Sequence, residues 1–234
     1  MSLRIDIWHW FSLDQAISAT TLSRKAGELE ANPHLPSEAE EARGLKCSED
    51  DQREHRSYVT ASILSSATFL EASINELFAS ARYDNLEVGG KLSQPERDHL
   101  TGAAEMLANN RLLDRFQLAL YLLDRTPFDR GAQPYQDAQA LVNLRNELVH
   151  YKPQFRTGAS EEPVEVAKWI KALADKRFSV NPFTGDQYPF FPDRSLSHGC
   201  TVWAWNAALM FCDQFFNRVG VKTVYDSQRQ ALVP

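Results

Sequence analysis

Three observations predict an all-α chain, a helical bundle of five or six helices. Ile63, Ala67, Leu70, Ile74, Leu77, Phe78 and Ala81 recur at the spacing of one helix face. From about His198 to Val219 the chain is apolar on nearly every side, as a helix central to a bundle, or half-covered by a second subunit, must be. The apolar–polar alternation of half-buried strands is absent almost everywhere. The 234 residues suit one domain, 1–234. Its bundle core is expected at about 51–220, with an N-terminal helix at 12–31 and a long aromatic and proline-rich loop at 177–196.

The elements follow in order. Ser12 or Asp14 is placed to cap a first helix carrying Ile17, Leu22 and Leu29. Trp8, Trp10 and Phe11 crowd before it; a hydrophobic anchor onto the bundle is the expected role, base-stacking the alternative. Asn32 to Asp50 is a polar connector with two prolines and room for one helical turn. A long helix starts near Asp51, where Ser48 and Asp51 have the spacing of a capping box. Tyr83 to Leu92 is a loop broken by Gly89-Gly90, and Ser93-Gln94-Pro95-Glu96 is a helix start with Pro in the first turn. That helix is expected to yield at Asn109-Asn110, and Leu112 to Leu123 to pack Leu113, Phe116, Leu120 and Leu123 inward. Arg111, Arg115, Arg125 and Arg130 give this region a positive lean. A solvated face with Asp114 and Asp124 as partners is expected, the border of an RNA groove the alternative.

Thr126 to Pro134 turns the chain into a helix that ends with LVNLRNELVHYKP, Leu141 to Pro153. Pro134 stands where a missing N–H costs nothing, and Pro153 disfavours helical geometry at Lys152, so the helix should stop near Tyr151. At ~100° per residue Leu141, Leu144, Leu148 and Val149 form one apolar arc, and Arg145 falls inside it, ~40° from Leu141 and from Val149. Asn146 and His150 share a neighbouring stripe, four residues apart. Glu71 lies likewise inside the apolar arc of the earlier long helix, flanked by Ala67, Ile74 and Phe78. A buried charge demands a partner. Glu71 and Arg145 are therefore expected to meet across a helix–helix contact, either as an ion pair that fixes register or as a pair in which Glu71 aims Arg145 at a phosphate. Beyond it come a loop at Gln154 to Glu162, a short helix at Val164 to Lys176, and the irregular stretch Phe178 to Ser195. The aromatic rings of that stretch, Phe183, Tyr188, Phe190 and Phe191, are expected to pack on their own bundle rather than stack on bases. His198 is placed to cap the last helix.

Composition excludes much. No stretch is apolar for long enough to span a bilayer, and no basic region followed by an apolar run opens the chain. Cys47, Cys200 and Cys212 are no disulfide framework; on one helix Cys200 and Cys212 would stand ~18 Å apart. A reduced, cytoplasmic protein is expected. The net charge of −6 means that RNA binding would need a local basic patch. His9, His34, His55 and His99 have no metal-ligand partners at useful spacing, so no metal and no cofactor is expected. Phosphate-cradling glycine loops, strand-to-helix nucleophile motifs and internal repeats are not found.

The run Arg145-Asn146-Glu147-Leu148-Val149-His150, at the end of its helix, resembles the signature of the HEPN superfamily, and Ser65 to Phe78 resembles that family's first long core helix. The resemblance spans roughly Asp51 to Gly220. It implies an all-helical HEPN-like domain and a metal-independent endoribonuclease: attack of a ribose 2′-OH on the adjacent phosphorus leaves a 2′,3′-cyclic phosphate and a free 5′-OH. The expected catalytic residues are Arg145, Asn146 and His150, supported by Glu71, Tyr151 and Lys152. Imidazole suits the proton transfers, and the negative end of a helix dipole favours a cationic ring that can act as general acid. A guanidinium fork suits charge building on non-bridging oxygens, and Asn146 can hold the substrate or its neighbours. The resemblance further implies RNA as partner, a homodimer with a composite cleft, and a toxin or phage-defence setting with a partner or antitoxin protein. One departure stands out: toxins of the family modified by a partner nucleotidyltransferase often carry Tyr two residues after the His, where this chain has Lys152 and places Tyr151 first. The alternative is a catalytically silent HEPN-like bundle that binds a nucleotide or a protein.

Overall fold

The computed structural model describes residues 9–83, 92–152 and 168–234. The expectations for Trp8, the Gly89-Gly90 loop, the stop at Pro153 and the loop from Gln154 to Glu162 lie outside them. The described residues are all-helical and contain no strand. They form α1 (Phe11–Ala31), α2 (Glu38–Ala42), α3 (Glu49–Tyr83), α4 (Gln94–Ala108), α5 (Leu112–Leu122), α6 (Tyr135–Val149), α7 (Lys168–Ala174) and α8 (His198–Val219), with single turns at Phe190–Arg194 and Asp226–Ala231. The count exceeds five or six because α1 packs as a full member of the bundle and the short α2 and α7 add to it. No helix among the described residues is long and apolar enough to cross a membrane.

The 35-residue α3 is the axis. Its apolar face is the one the sequence marks, Ile63, Ala67, Leu70, Ile74, Leu77, Phe78 and Ala81, all buried. A second face, Ser62, Ser66, Phe69, Ser73 and Ser80, is buried too. Ser66 Oγ enters this core by bonding back to the Ser62 carbonyl at 2.9 Å, whereas the Ser73 and Ser80 hydroxyls have no hydrogen-bond partner among the described residues.

That second face receives α1, and here the sequence reading needs correction. The buried face of α1 is Ser12, Ala16, Ala19, Thr20, Ser23 and Ala26, while Ile17 is exposed. Small residues let two backbones approach closely, so packing overrode the hydropathy pattern. Neither Ser12 nor Asp14 caps α1; the Ser12 amide and hydroxyl donate to the Glu76 carboxylate, whose pKa burial raises. Ser62 Oγ donates to the Ala19 carbonyl at 2.8 Å, and Ser23 and Thr201 share a hydroxyl contact at 2.6 Å, tying α1 to α3 and α8. At the start of α3, Ser48 Oγ accepts from the Asp51 amide, but the Asp51 carboxylate turns to the His34 amide and ring instead of closing the capping box.

α8 is central, against α1, α3, α5 and α6. Trp205, Phe211 and Phe215 are fully buried, with Phe69 edge-on to Trp205 and to Tyr225 and Phe116 edge-on to Phe211 and Phe215, and the Trp205 indole donates to the Leu232 carbonyl at 3.0 Å. Ser197, not His198, is the cap: its hydroxyl accepts from the Cys200 amide at 3.0 Å, while the His198 amide donates to Glu30 at 2.6 Å. Gly220 closes the helix at φ 84°, a conformation that glycine adopts without a Cβ penalty. Cys47, Cys200 and Cys212 are buried thiols, and burial pushes the pKa values of Cys200 and Cys212 well up.

α4 starts as the sequence indicates, with Ser93 and Glu96 closing a capping box, and yields at Asn109. α5 buries Leu113, Phe116, Leu120 and Leu123. The loop at 177–196 packs on its own bundle: Phe191 edges onto Trp169, Phe190 lies by Phe178, and Phe183 by His55. Tyr188 stays exposed.

Candidate functional site

α6 presents the motif. Pro134 precedes its first turn and His150 is the C-cap that follows its last residue, the His150 amide donating to the Asn146 carbonyl at 2.9 Å. Leu141 and Leu144 fix the helix by full burial. Nearer the C-terminus the arc comes to the surface: Val149 is 52% exposed. Arg145 therefore stands on the boundary of the core rather than in it.

There it meets Glu71. The two side chains lie 3.6 Å apart, 36% and 45% exposed. The pairing across the α3–α6 contact is present, but its setting is an open groove, not a sealed interface. At that distance and exposure the pair is a charge contact worth ~1 kcal/mol or less to stability, so it is no strong register lock. Arg145 Nη1 donates to Asn146 Oδ1 at 3.0 Å, which holds the fork toward its neighbour.

Arg145, Asn146 and Glu71 open on a groove of about 510 Å³ between α3, the start of α5 and α6. Its rim adds residues that the sequence reading did not place there, Arg111, Arg130, Gln139 and Asn143. The signal was present. Gln139, Asn143 and Asn146 follow one stripe of α6 beside its apolar arc, and the sequence lets the arginines lie on a solvated face or border a groove. Arg130 does pair with Asp114, at 2.8 Å, but Arg125 pairs with Glu96 rather than Asp124. Arg115 is buried, donates to the Asn75 side chain, and is close enough to Glu71 for the carboxylate to favour its charged form against the larger cost of burial. The groove lining thus carries three arginines, Arg111, Arg130 and Arg145, against the two carboxylates Glu71 and Asp114, with Arg115 buried behind it. This local basic surface sits on a chain of net charge −6.

His150 does not line the groove. It is exposed, one turn beyond Asn146 on the same stripe, ~6 Å further along the axis. Among the described residues its ring has no hydrogen-bond partner. Tyr151 is 47% exposed with its ring 6.4 Å from that of Phe191, and Lys152 is exposed. The structure therefore brings Arg145, Asn146 and Glu71 together, sets His150 just past them, and turns Tyr151 toward the long loop. Among the described residues no three His, Cys, Asp or Glu side chains come together as metal ligands do. Compared with known proteins, the chain matches no family model, no curated protein and no solved structure.

Proposed function

We propose that the protein is a metal-independent endoribonuclease of HEPN type. The observation that carries this reading is the junction at the end of α6, where Arg145 and Asn146 open on a cationic groove and His150 stands one turn beyond, its ring exposed and without a partner among the described residues. A phosphodiester lying along that junction has its non-bridging oxygens against the Arg145 fork and its ester oxygens toward the imidazole. The 2′-OH gives its proton to a base as its oxygen bonds phosphorus. The P–O5′ bond breaks, and the leaving 5′-oxygen takes a proton from the cationic imidazole. Arg145 neutralises the charge of the crowded phosphorane, and Glu71 keeps the guanidinium oriented. One protomer supplies one such ring at the junction. The second proton transfer falls to His150 of another copy, and the exposure of both His150 and Val149 leaves that face free for it.

The test is incubation of the pure protein with single-stranded RNA and a chelator, beside His150→Ala and Arg145→Ala. Cleavage to cyclic-phosphate ends by the parent chain alone supports the reading; equal cleavage by all three marks a contaminant and removes it. The second reading, a silent nucleotide-binding bundle, draws on the same groove and on the position of His150 outside its lining.

A further inference from the structure

The groove holds more recognition chemistry than a phosphate clamp needs. Its volume, about 510 Å³, lies in the range of pockets that enclose one small ligand. The charges on its rim are unequally occupied. Arg130 is held by Asp114 at 2.8 Å and Arg145 faces Glu71 at 3.6 Å, whereas Arg111 has no carboxylate partner among the described residues. Arg111 is also exposed, and guanidinium groups with spare donors are anion seats.

The wall contributed by α6 carries a different chemistry. Gln139 Nε2 donates to Asn143 Oδ1 at 3.1 Å, which fixes the two carboxamides side by side. The pairing leaves the Gln139 carbonyl oxygen and the Asn143 amide nitrogen unused among the described residues, one acceptor beside one donor. That pair matches a nucleobase edge, which offers a donor and an acceptor at similar spacing. Val142 and Leu112 give the apolar surface between them, and the Arg130 guanidinium lies 5.8 Å over the Tyr135 ring, a plane of the kind on which bases stack.

We infer that this groove is a nucleotide subsite, in which Arg111 seats a phosphate and the Gln139–Asn143 carboxamide pair reads the edge of an unpaired base. Its placement next to the cleaved bond rests on the ribonuclease reading; binding of the nucleotide itself does not. In RNA the base must be single-stranded, because the deep, narrow major groove of a paired A-form helix hides base edges from side chains on a helix wall. Arg111 and the carboxamides thereby choose which linkage reaches Arg145 and His150, and the enzyme cuts beside a preferred base.

The experiment is a calorimetric titration of the full chain with each of the four nucleoside 5′-monophosphates and the four matching nucleosides. We expect one base to be preferred and its monophosphate to bind at least about tenfold tighter than its nucleoside. Arg111→Ala should remove most of that tenfold advantage, and Asn143→Ala and Gln139→Glu should flatten the base preference by about fivefold or more. All three side chains are at the surface or half-exposed, and unchanged circular dichroism confirms that each variant folds. Absence of monophosphate binding, or affinities and preferences unchanged in all three variants, overturns the subsite. The two proposals separate cleanly. Nucleotide binding that depends on Arg111 and Asn143 in a protein that never cleaves RNA removes the ribonuclease and keeps the subsite. Cleavage that survives with an unaltered base profile in Asn143→Ala and Gln139→Glu does the reverse.

Discussion

Two pairs of opposite chemistry are set into helix contacts of this protein, and they differ in what surrounds them. Glu30 on α1 meets His55 on α3 at 2.8 Å, with the His side chain 1% and the Glu side chain 15% exposed. The same Glu30 oxygen accepts the His198 amide at the start of α8, and Phe183 covers the ring from the long loop. Glu71 on α3 meets Arg145 on α6 at 3.6 Å, both sides more than a third exposed. The first pair is closed over by three elements and has its hydrogen bonds spoken for. The second keeps unused donors and faces a groove. Position along one helix, α3, thus separates a fastener from a group free to receive a ligand.

The comparison is sharpest in rate. Arg145→Ala is expected to lower cleavage of single-stranded RNA by about 10²–10³-fold, the loss typical of one transition-state donor, while the melting temperature scarcely moves. His55→Ala should do the opposite. It leaves a largely buried carboxylate with only the His198 amide and opens a cavity under Phe183, and is expected to cost about 2–3 kcal/mol, or several degrees of melting temperature, with the rate per folded molecule unchanged. Should the two variants exchange effects, the distinction fails.

Glu71→Gln is a finer probe. Denaturant stability should change by no more than ~1 kcal/mol. A fall in kcat with KM unchanged marks Glu71 as a positioning residue, and an unchanged kcat reduces it to a surface contact. The smallest expected effect is pH-dependent and concerns Glu76. Burial raises its carboxyl above the ordinary value in the folded state. Its contribution to stability is therefore complete below the unfolded pKa and is lost as pH rises through the folded one. Melting curves between acid and neutral pH should show the parent losing ground to Glu76→Gln as pH rises through that window.

Much of this was legible in the chain. The apolar face of α3, the capping box at Ser93, the break at Asn109 and the inward face of α5 follow from periodicity and cap chemistry, and those are local. The Glu71–Arg145 contact was legible because two helices each put one charge of opposite sign in an apolar arc. Its exposure was not, since where an arc leaves the core depends on which neighbours end nearby. The face of α1 was misread because alanine and serine carry little hydropathic signal, yet close packing selects them. Arg111, Arg130, Gln139 and Asn143 were each visible, but only the packing that sets the start of α5 and the turn before α6 beside α6 over α3 gathers them into one groove.

The face of α1 has a mechanical corollary. Along its middle, where Ala16, Ala19, Thr20, Ser23 and Ala26 make the contact, the helix acts as a shim that sets the spacing of α3 and α8, with its hydroxyls and Glu30 as the fastenings. Shaving the shim should be tolerated. Thickening it, as Ala19→Leu would, forces strain of about 1–3 kcal/mol into α3. Because the far side of α3 carries Ala67 and Glu71 into the groove, the three carbons added on one flank of the bundle would be felt as a change of aperture on the other.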